Sequence, residues 1–488
     1  MKIKRTKSIC PVCRVVIDAD LIEEDNAIWI HRICPEHGPF RSLYWSDAQM
    51  FRRFDTYNTI GEGITTTKEP EESKGCPLDC GICEKHHSGT LLANVDLTNR
   101  CNLNCDFCFA NARACGFIYE PTFDEIIAIF RRLRDQKPVP PPAVQLSGGE
   151  PTMREDLPEI IRMAKELGFK QVQVATNGIK LAQDEFLAGK LKRAGVSTIY
   201  LHFDGVTRET NPLLLISKKA IGNCRREKIG VVLVPTIIGG KNDHEAGAII
   251  RFAAENVDVI RGVNFQPVAF TGAATDEKML KERITIPDLL HDIEDQTEGI
   301  LKARDFYPIP CVGPIIDLVK AYTDRPQIQF TAHPHCGAAT YLFVTENEMV
   351  PVNRMVDVDR FFSSIEMISD NMKKGGCINK YRALLEGVRN LKESLNQDSN
   401  FKIDFHGLIA DALIHQNFDA LRKFHWNALF IGTMHFMDNH NYDLDRVSRC
   451  CIHYATPDGR IIPFCTYNSG PVWREEVWKK HALPLNND

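Results

Sequence analysis

The stretch LTNRCNLNCDFCFANA, residues 97–112, carries three cysteines, Cys101, Cys105 and Cys108, in the spacing CxxxCxxC, with Phe107 before the last of them. It directly follows an apolar run that we interpret as a buried strand. Three thiolates on one loop can bind three irons of a cubane cluster and leave the fourth iron open to a small molecule. The stretch therefore predicts a 4Fe–4S cluster with one free coordination site.

On either side of this loop, apolar runs alternate with amphipathic stretches, which predicts strands alternating with helices. The strand-like runs are LLANVDLT, AVQLS, QVQVAT, STIYLHF, VVLVPT and VIRGVNFQP. Six βα units in series predict an α/β fold, a partial (β/α)6 TIM-like barrel over residues 91–300 with its chemistry in the loops after the strands. Cysteine-rich metal-binding regions are expected at 1–90 and at 301–488, the latter with a helical insert over 378–425.

Polar residues end several of these predicted strands. Ser147-Gly148-Gly149-Glu150 ends the second strand, Asn177 the third and Asp204 the fourth, and Gln266 follows the sixth. Each could also serve an ordinary turn or a helix cap. Their shared position at the strand ends makes them candidates for the same site as the cysteine loop.

The CxxxCxxC loop with its aromatic residue, followed by GGE after the next strand, resembles the radical S-adenosylmethionine (SAM) superfamily. The resemblance implies that the open iron binds the amino and carboxylate groups of SAM, with Phe107 near the adenine. It also implies further SAM contacts, namely Gly148, Gly149, Glu150, Asn177, Asp204 and Gln266. In this superfamily the reduced cluster cleaves SAM to a 5′-deoxyadenosyl radical that removes a substrate hydrogen, so no conventional catalytic triad is expected. An electron donor such as ferredoxin or flavodoxin is implied, and a zinc or purely structural loop is the alternative.

The other cysteines predict additional metal sites. Cys10-Pro-Val-Cys13 and Cys34-Pro-Glu-His37 form a knuckle pattern that suits one mononuclear iron or a zinc. A second CxxxCxxC precedes the barrel and is interpreted as auxiliary-cluster ligands, with a structural metal as the alternative; its cysteines are Cys76, Cys80 and Cys83. The C-terminal candidates are Cys311, Cys336, Cys377, Cys450, Cys451 and Cys465. Cys115 and Cys224 are expected to be ordinary buried thiols.

Composition narrows the class of protein. With 59 basic and 64 acidic residues the net charge is -5, which argues against nucleic acid as a partner. No run of eighteen apolar residues and no signal peptide is found, so we expect a cytoplasmic protein without a transmembrane segment. Seventeen cysteines in a reducing compartment favour metal binding over disulfides.

The order of the cysteine motifs along nearly the whole chain resembles the archaeal tetraether lipid synthases. That resemblance implies two auxiliary 4Fe–4S clusters and a rubredoxin-like mononuclear iron. It also implies an sp3–sp3 C–C bond between terminal methyl carbons of the phytanyl chains of two archaeol-type glycerophospholipids, giving tetraether or macrocyclic lipids and consuming two SAM per bond. A long apolar channel and a peripheral contact with the membrane are then expected.

Three alternatives remain open at this point. Within radical SAM chemistry, the chain could methylate a pterin in archaeal cofactor biosynthesis, or it could be a peptide-modifying maturase. Outside enzymology, it could be a zinc-stabilised binding module. Iron content would separate the last alternative from the others, and co-purified lipid or pterin would separate the first from lipid coupling.

Overall fold

The computed structural model describes residues 1–66, 75–78, 80–110, 116–271, 281–345, 348–373, 428–469 and 471–483. The predicted helical insert at 378–425 lies outside the described residues, as do Cys115 and Cys377.

The N-terminal segment forms a four-stranded antiparallel sheet followed by one helix. Its elements are β1 (Lys2–Ile9), β2 (Val16–Glu24), β3 (Ala27–Cys34), β4 (Gly38–Trp45) and α1 (Ala48–Asp55). The strands pair in chain order. In β2, Ile17, Ala19 and Leu21 are buried while the residues between them are more exposed, as expected for a sheet with one face on the core. The β1–β2 and β3–β4 turns place Cys10, Cys13 and Cys34 at one end of this sheet.

The central segment forms alternating strands and helices, as predicted. Its strands are β5 (Leu92–Thr98), β6 (Ile118–Tyr119), β7 (Ala143–Gly148), β8 (Gln171–Thr176), β9 (Thr198–His202), β10 (Gly230–Val234), β11 (Thr236–Ile237) and β12 (Ile260–Pro267). Its helices are α2 (Phe123–Arg134), α3 (Leu157–Glu166), α4 (Ile179–Gln183), α5 (Leu187–Ala194), α6 (Leu214–Arg226) and α7 (Ala246–Glu255). α2 begins with a capping box between Thr122 and Glu125, which satisfies backbone donors at its first turn.

The C-terminal segment adds short strands and helices. They are α8 (Ile286–Gln296), β13 (Tyr307–Pro308), α9 (Gly313–Thr323), β14 (Gly337–Val344), β15 (Met349–Pro351), α10 (Val352–Met355), α11 (Val358–Lys373), β16 (Ala428–Met434), α12 (Leu444–Ser448), β17 (Ile452–Ala455), β18 (Ile461–Pro463), α13 (Phe464–Asn468), α14 (Pro471–Lys480) and β19 (Ala482–Leu483).

One sheet joins the central and C-terminal segments, in the order β13-β14-β16-β12-β10-β9-β8-β7-β5-β17-β18. The six strands predicted for the barrel are parallel neighbours in this sheet, which confirms the predicted fold class. Two further parallel strands extend it: β16 pairs with β12, and β17 pairs with β5. Strands from beyond residue 300 thus extend the barrel sheet at both of its edges. The domain boundaries proposed from the sequence stay a prediction.

Two hairpins with the same order of parts stand at the ends of this sheet. β14 and β15 follow Cys336, and β17 and β18 follow Cys451. Each hairpin ends in a proline, Pro351 or Pro463, that caps the start of a short helix. Proline fits this N-cap position because an N-cap residue has non-helical, extended dihedrals that the fixed φ of proline allows.

The two faces of the barrel sheet differ in polarity. Val95, Leu146 and Val174 are fully buried in the main apolar core, which also contains residues of the surrounding helices. Asn94 and Gln145, which alternate with them along β5 and β7, line the barrel interior. Among the described residues, no helix has the length and apolar character needed to cross a membrane.

Candidate active site and metal centres

A cavity of about 430 Å³ lies at the mouth of the barrel and extends into its interior. The CxxxCxxC loop after β5 forms part of its wall, together with the ends of β7, β8 and β12. The structure brings together there most of the residues proposed from the sequence: Cys101, Cys105, Cys108, Phe107, Gly148, Gly149, Glu150, Asn177 and Gln266. Their roles toward a cofactor stay predictions, and their proximity is a finding.

The paired glycines let the loop after β7 pack directly on the cysteine loop. The Gly149 N–H donates to the carbonyl oxygen of Thr98 (2.6 Å), and the Glu150 N–H donates to that of Arg100 (2.8 Å). A Cβ on Gly149 would lie 2.4 Å from the Arg100 carbonyl oxygen, and Gly148 has a φ of +125°. Residues without a side chain are needed for so close an approach.

Glu150 ties the ends of β7 and β8 together. Its buried carboxylate accepts hydrogen bonds from the hydroxyls of Thr152 (2.6 Å) and Thr176 (2.8 Å) and from the Asn177 N–H (2.8 Å). Burial raises the pKa of Glu150, and these hydrogen bonds oppose the shift. The carboxylate therefore has a structural role in addition to any contact with SAM.

Asn177 joins the third strand end to the cysteine loop. Its amide nitrogen donates to the side-chain oxygen of Asn102 (2.7 Å), which lies between Cys101 and Cys105. Its side-chain oxygen accepts from the N–H of Ile179 at the start of α4 (3.0 Å). The capping role that the sequence left open is thus present together with a contact to the site.

Asp204 contacts the cavity lining through His202, a residue that the sequence reasoning missed. The His202 Nε2 is 2.9 Å from a carboxylate oxygen of Asp204, and His202 itself lines the cavity. The charge of Asp204 raises the pKa of His202, although burial opposes this. The sequence offered one signal for His202, which is its position. It lies at the end of β9, two residues before Asp204, and alternate residues of a strand point to the same face.

Phe107 of the cysteine loop lines the cavity and packs in a small apolar cluster. It packs against Ile238, Val268 and Phe270, and the Lys241 ammonium lies 4.6 Å from its ring centre. This contact fixes the ring at the cavity wall, where the resemblance to radical SAM proteins places an adenine.

The chemistry of the three thiols suits a metal cluster. Burial raises the pKa of Cys101, and burial together with the charges of Cys108 and Cys101 raises the pKa of Cys105 to about 12. Three adjacent thiolates are therefore disfavoured without a compensating positive charge. An iron–sulfur cluster supplies that charge, so Cys101, Cys105 and Cys108 fit the group.

The N-terminal knuckle holds a four-ligand set. Cys10, Cys13, Cys34 and His37 have donor atoms that all lie within 4.8 Å of one another. The Cys13 and Cys34 sulfurs are 3.8 Å apart, and the His37 Nδ1 is 3.6 Å from the Cys34 sulfur. Thiolates bound at ~2.3 Å to a tetrahedral metal are separated by about 3.8 Å. His37, which the ligand prediction omitted, supplies the fourth donor, and three sulfurs with one imidazole nitrogen suit zinc.

Four C-terminal thiols lie near one another beside a buried arginine. Thiolate charge on Cys336 raises the pKa of Cys450, Cys451 and Cys465, in addition to the larger effect of burial. The Arg446 Nε donates to the Cys336 sulfur at 3.3 Å. We call Cys336, Cys450, Cys451 and Cys465 the C-terminal thiol group; at Cys465 the charge of Arg446 opposes part of the rise in pKa.

Cys311 lies in the turn Ile309–Val312, where burial and the charge of Asp359 raise its pKa to about 12.

The second CxxxCxxC packs against the hairpin that carries most of the C-terminal thiol group. The Ile82 N–H donates to the carbonyl oxygen of Ile461 (3.0 Å), and the His86 Nε2 lies 2.7 Å from that of Cys450. A hydrogen bond to Cys76 and burial raise the pKa of Cys80. Cysteines from both flanks thus lie side by side, and their division among clusters stays a prediction.

Comparison with known proteins places the chain in a family. Residues 95–253 match the Radical SAM superfamily, and residues 2–46 match the HMPTM N-terminal zinc ribbon domain. The chain is 47% identical to the 7,8-dihydro-6-hydroxymethylpterin dimethyltransferase of Methanocaldococcus jannaschii over 99% of its own length and 96% of that enzyme. The chain belongs to this dimethyltransferase family. It is a radical SAM enzyme, and the family implies SAM and a 4Fe–4S cluster as cofactors.

Other relatives match a smaller part of the chain. It is 34% identical to the Fe-coproporphyrin III synthase of Methanosarcina barkeri over 40% of its length and 47% of that enzyme. It is 31% identical to the probable GTP 3′,8-cyclase of Sulfolobus acidocaldarius over 47% of its length and 72% of that protein. The near-complete match to the dimethyltransferase is therefore the informative one.

This relationship corrects the prediction of a tetraether lipid synthase that couples phytanyl chains. That prediction rested on the order of the cysteine motifs, but the relative that shares nearly the whole chain is a pterin dimethyltransferase. The order of motifs therefore does not specify a lipid substrate. The channel expected for lipid was apolar, whereas five amide side chains line part of this cavity: Asn94, Gln145, Asn177, Asn264 and Gln266.

Proposed function

We propose that the chain is a radical SAM methyltransferase whose substrate is a hydroxymethyl dihydropterin. The observation that carries the proposal is the 47% identity to a 7,8-dihydro-6-hydroxymethylpterin dimethyltransferase across 99% of the chain. The match of residues 2–46 to the HMPTM zinc ribbon supports the same assignment. Identity spread over the barrel and both flanks favours a shared substrate more than a barrel match alone would.

The lining of the cavity supports a polar aromatic substrate. Asn94, Gln145 and Asn264 offer amide donors and acceptors inside the barrel, and Phe430 and Tyr454 present aromatic rings. A dihydropterin is a largely flat heterocycle with several hydrogen-bonding atoms on its edges. Amide groups pair with such edges and aromatic rings stack on such faces.

The residues of the site suit methylation by a radical SAM mechanism, because they can hold the cluster and limit access of water. When bound, the cluster would supply the electron for reductive cleavage of SAM, which gives access to hydrogen abstraction from an unactivated C–H bond. Cys101, Cys105 and Cys108 would hold the cluster, and the packing of Gly149 on Arg100 fixes their loop against β7. Phe109, Phe436 and Phe464 pack edge to face and face to face above the barrel interior, which limits access of water to a reactive intermediate.

The test is an anaerobic reaction with the reconstituted chain, SAM, a low-potential reductant and 7,8-dihydro-6-hydroxymethylpterin, with and without an added one-carbon donor. We expect 5′-deoxyadenosine and a pterin heavier by one and then two methylene units, measured by liquid chromatography with mass spectrometry. With deuterated pterin, deuterium should appear in the 5′-deoxyadenosine. Cleavage of SAM with no methylated pterin under any of these conditions would reject the proposal.

Two cysteine variants provide a matched comparison. Cys101→Ala removes a proposed cluster ligand, so formation of 5′-deoxyadenosine should fall to background. Cys224→Ala removes a buried thiol of α6 that packs in the apolar core, so cluster content and activity should be retained. Equal activity of the two variants would contradict the assignment of the SAM cluster.

A further inference from the structure

A row of amide side chains crosses the interior of the barrel. Asn94, Gln145 and Gln173 occupy matching register positions on β5, β7 and β8. The Gln173 Nε2 donates to the Gln145 Oε1 (3.0 Å), and the Gln145 Nε2 donates to the Asn94 Oδ1 (2.8 Å). We call these three residues the amide row.

The amide row ends at the side-chain nitrogen of Asn94, a hydrogen-bond donor without a partner among the described residues. Asn94 is 1% exposed, and its Nδ2 has no hydrogen-bond partner among the described residues. The Asn94 Oδ1 is occupied by Gln145, so the row presents an N–H group at its end. Buried amide donors are almost always paired, so an unpaired one on a cavity wall indicates a ligand acceptor or a bound water.

An aromatic ring lies beside this free donor. Tyr454 on β17 is the register partner of Asn94 on the side opposite Gln145, and all three residues line the same cavity. Tyr454 is itself held in place, since its ring stacks on Tyr467 at 4.2 Å between centres and the Arg474 guanidinium lies over it. A donor next to a fixed ring matches a flat heterocycle that carries a carbonyl acceptor on its edge.

We propose that the Asn94 Nδ2 donates a hydrogen bond to the ring carbonyl oxygen at position 4 of the pterin, and that the amide row thereby selects 4-oxo over 4-amino pteridines. This rests on the proposed function, because it takes a pterin as the substrate. Gln145 and Gln173 act as positioning residues, since their hydrogen bonds orient the Asn94 amide. Asn94→Asp replaces the donor by an acceptor of the same shape and should reverse the preference.

The experiment measures dissociation constants on anaerobically reconstituted holoenzyme with SAM, by equilibrium dialysis. The two probes are 7,8-dihydro-6-hydroxymethylpterin and its 4-amino analogue. The unmodified chain should prefer the 4-oxo compound by about tenfold or more, as for a site that hydrogen-bonds one substrate group. In Asn94→Asp the ratio should shift toward the 4-amino compound by at least about tenfold. Asn58→Asp makes the same chemical change on an exposed residue and should leave the ratio unchanged.

A second variant covers the case in which a buried carboxylate disturbs folding. Asn94→Leu is neutral and similar in shape, and it should weaken binding of the 4-oxo probe while removing most of the preference; circular dichroism and iron content verify that it folds. An unchanged ratio in either folded variant would overturn the inference and assign the free donor to a water. If the unmodified chain binds and methylates the pterin while the ratio in Asn94→Asp stays the same, only the inference fails. If the unmodified chain binds neither probe and methylates no pterin, the proposed function fails as well.

Discussion

At the scale of single residues, one close backbone contact and one side-chain hydrogen bond position the cysteine loop. Gly149 meets Arg100 with no room for a side chain, and Asn177 holds Asn102 inside the CxxxCxxC loop. The thiolates are thus placed by contacts from two neighbouring strand ends. Small changes at those contacts should affect the cluster even though they remove no ligand.

Gly149→Ala should therefore lower the activity toward SAM. The added Cβ would come within 2.4 Å of the Arg100 carbonyl oxygen, so the cysteine loop must move. Overpacking of this kind costs ~1–3 kcal/mol, and we expect about a tenfold loss of 5′-deoxyadenosine formation with reduced iron content. The matched control is Gly222→Ala in α6, where an added Cβ meets nothing within 4 Å. Equal effects of the two changes would contradict a role for close packing.

The pair of His202 and Asp204 predicts a dependence of stability on pH. Asp204 raises the pKa of His202 above its value in the unfolded chain, ~6.5. The protonated pair therefore stabilises the fold fully below that value, and the contribution is lost as the pH rises through the raised pKa. Melting temperatures of the unmodified chain and of Asp204→Asn should differ most at a pH of about 6 and converge once the pH lies well above the raised pKa of His202. A difference that does not change with pH would exclude this titration.

Single residues also show which parts of the candidate site could be proposed from the sequence and which could not. Cys101, Cys105, Cys108 and Gly149 could be proposed because their motifs are short and contiguous. His202 could not, because a lone histidine on a strand has no distinctive spacing, and its value depends on a cavity formed by distant strands. His37 could have been proposed as the fourth ligand of the knuckle. It follows Cys34 by three residues, and histidine commonly replaces a cysteine in such metal sites.

At the scale of elements, the N-terminal sheet is anchored to the segment that precedes Cys450. The Ser8 hydroxyl donates to the carbonyl oxygen of Tyr442 (2.6 Å), and Arg32 donates to that of His440 (2.6 Å). The Tyr44 hydroxyl donates to the Asp443 carboxylate (2.9 Å). These contacts lie a few residues before Cys450, so the metal in the knuckle should influence how those thiols are presented.

Loss of the knuckle metal should therefore reduce iron loading elsewhere in the chain. His37→Ala removes one of four ligands, and small metal-bound sheets lose most of their stability without the metal. We expect the knuckle metal to disappear together with part of the iron beyond the SAM cluster, as measured by elemental analysis of anaerobically reconstituted protein. Val12→Ser is the control, because Val12 lies in the same knuckle and is 59% exposed. Full iron content in His37→Ala would show that the two regions are independent.

Some strands of the barrel sheet could be predicted from the sequence and others could not. The six central strands could be predicted because each is an apolar run followed by an amphipathic helix. The positions of β16 and β17 were not foreseen, since these short strands join the sheet beside β12 and β5, far away in the chain. These strands cover the two edges that the six central strands would leave unpaired. Such pairing depends on the assembled fold and cannot be recognised from a local stretch of sequence.

At the scale of the whole molecule, one buried ion pair connects the first barrel strand with the last long helix. Asp96 of β5 and Arg474 of α14 are separated by 378 residues, and their side chains approach to 3.1 Å. Both are nearly inaccessible to solvent, with side-chain exposures of 2% and 5%. Asp96 also accepts a hydrogen bond from Ser147 (3.0 Å), and Arg474 lies over the ring of Tyr467. The pair therefore holds α14 against the barrel beside the cavity.

Arg474→Met should destabilise the protein strongly because it leaves Asp96 charged and unpaired in the interior. Removing one partner of a buried pair costs about 3–5 kcal/mol, which anaerobic urea unfolding would register as a lower midpoint. Lys479→Met is the control on the same helix, since the exposed Lys479 pairs with Glu475 at 3.5 Å and such surface pairs contribute about 0–1 kcal/mol. The double variant Asp96→Asn with Arg474→Met should regain much of the lost stability, because neither charge remains buried alone. If both single variants of α14 unfold at the same urea concentration, the ion pair does not hold the C-terminal helix to the barrel, and closure of this side depends on aromatic packing around Tyr454 and Trp478.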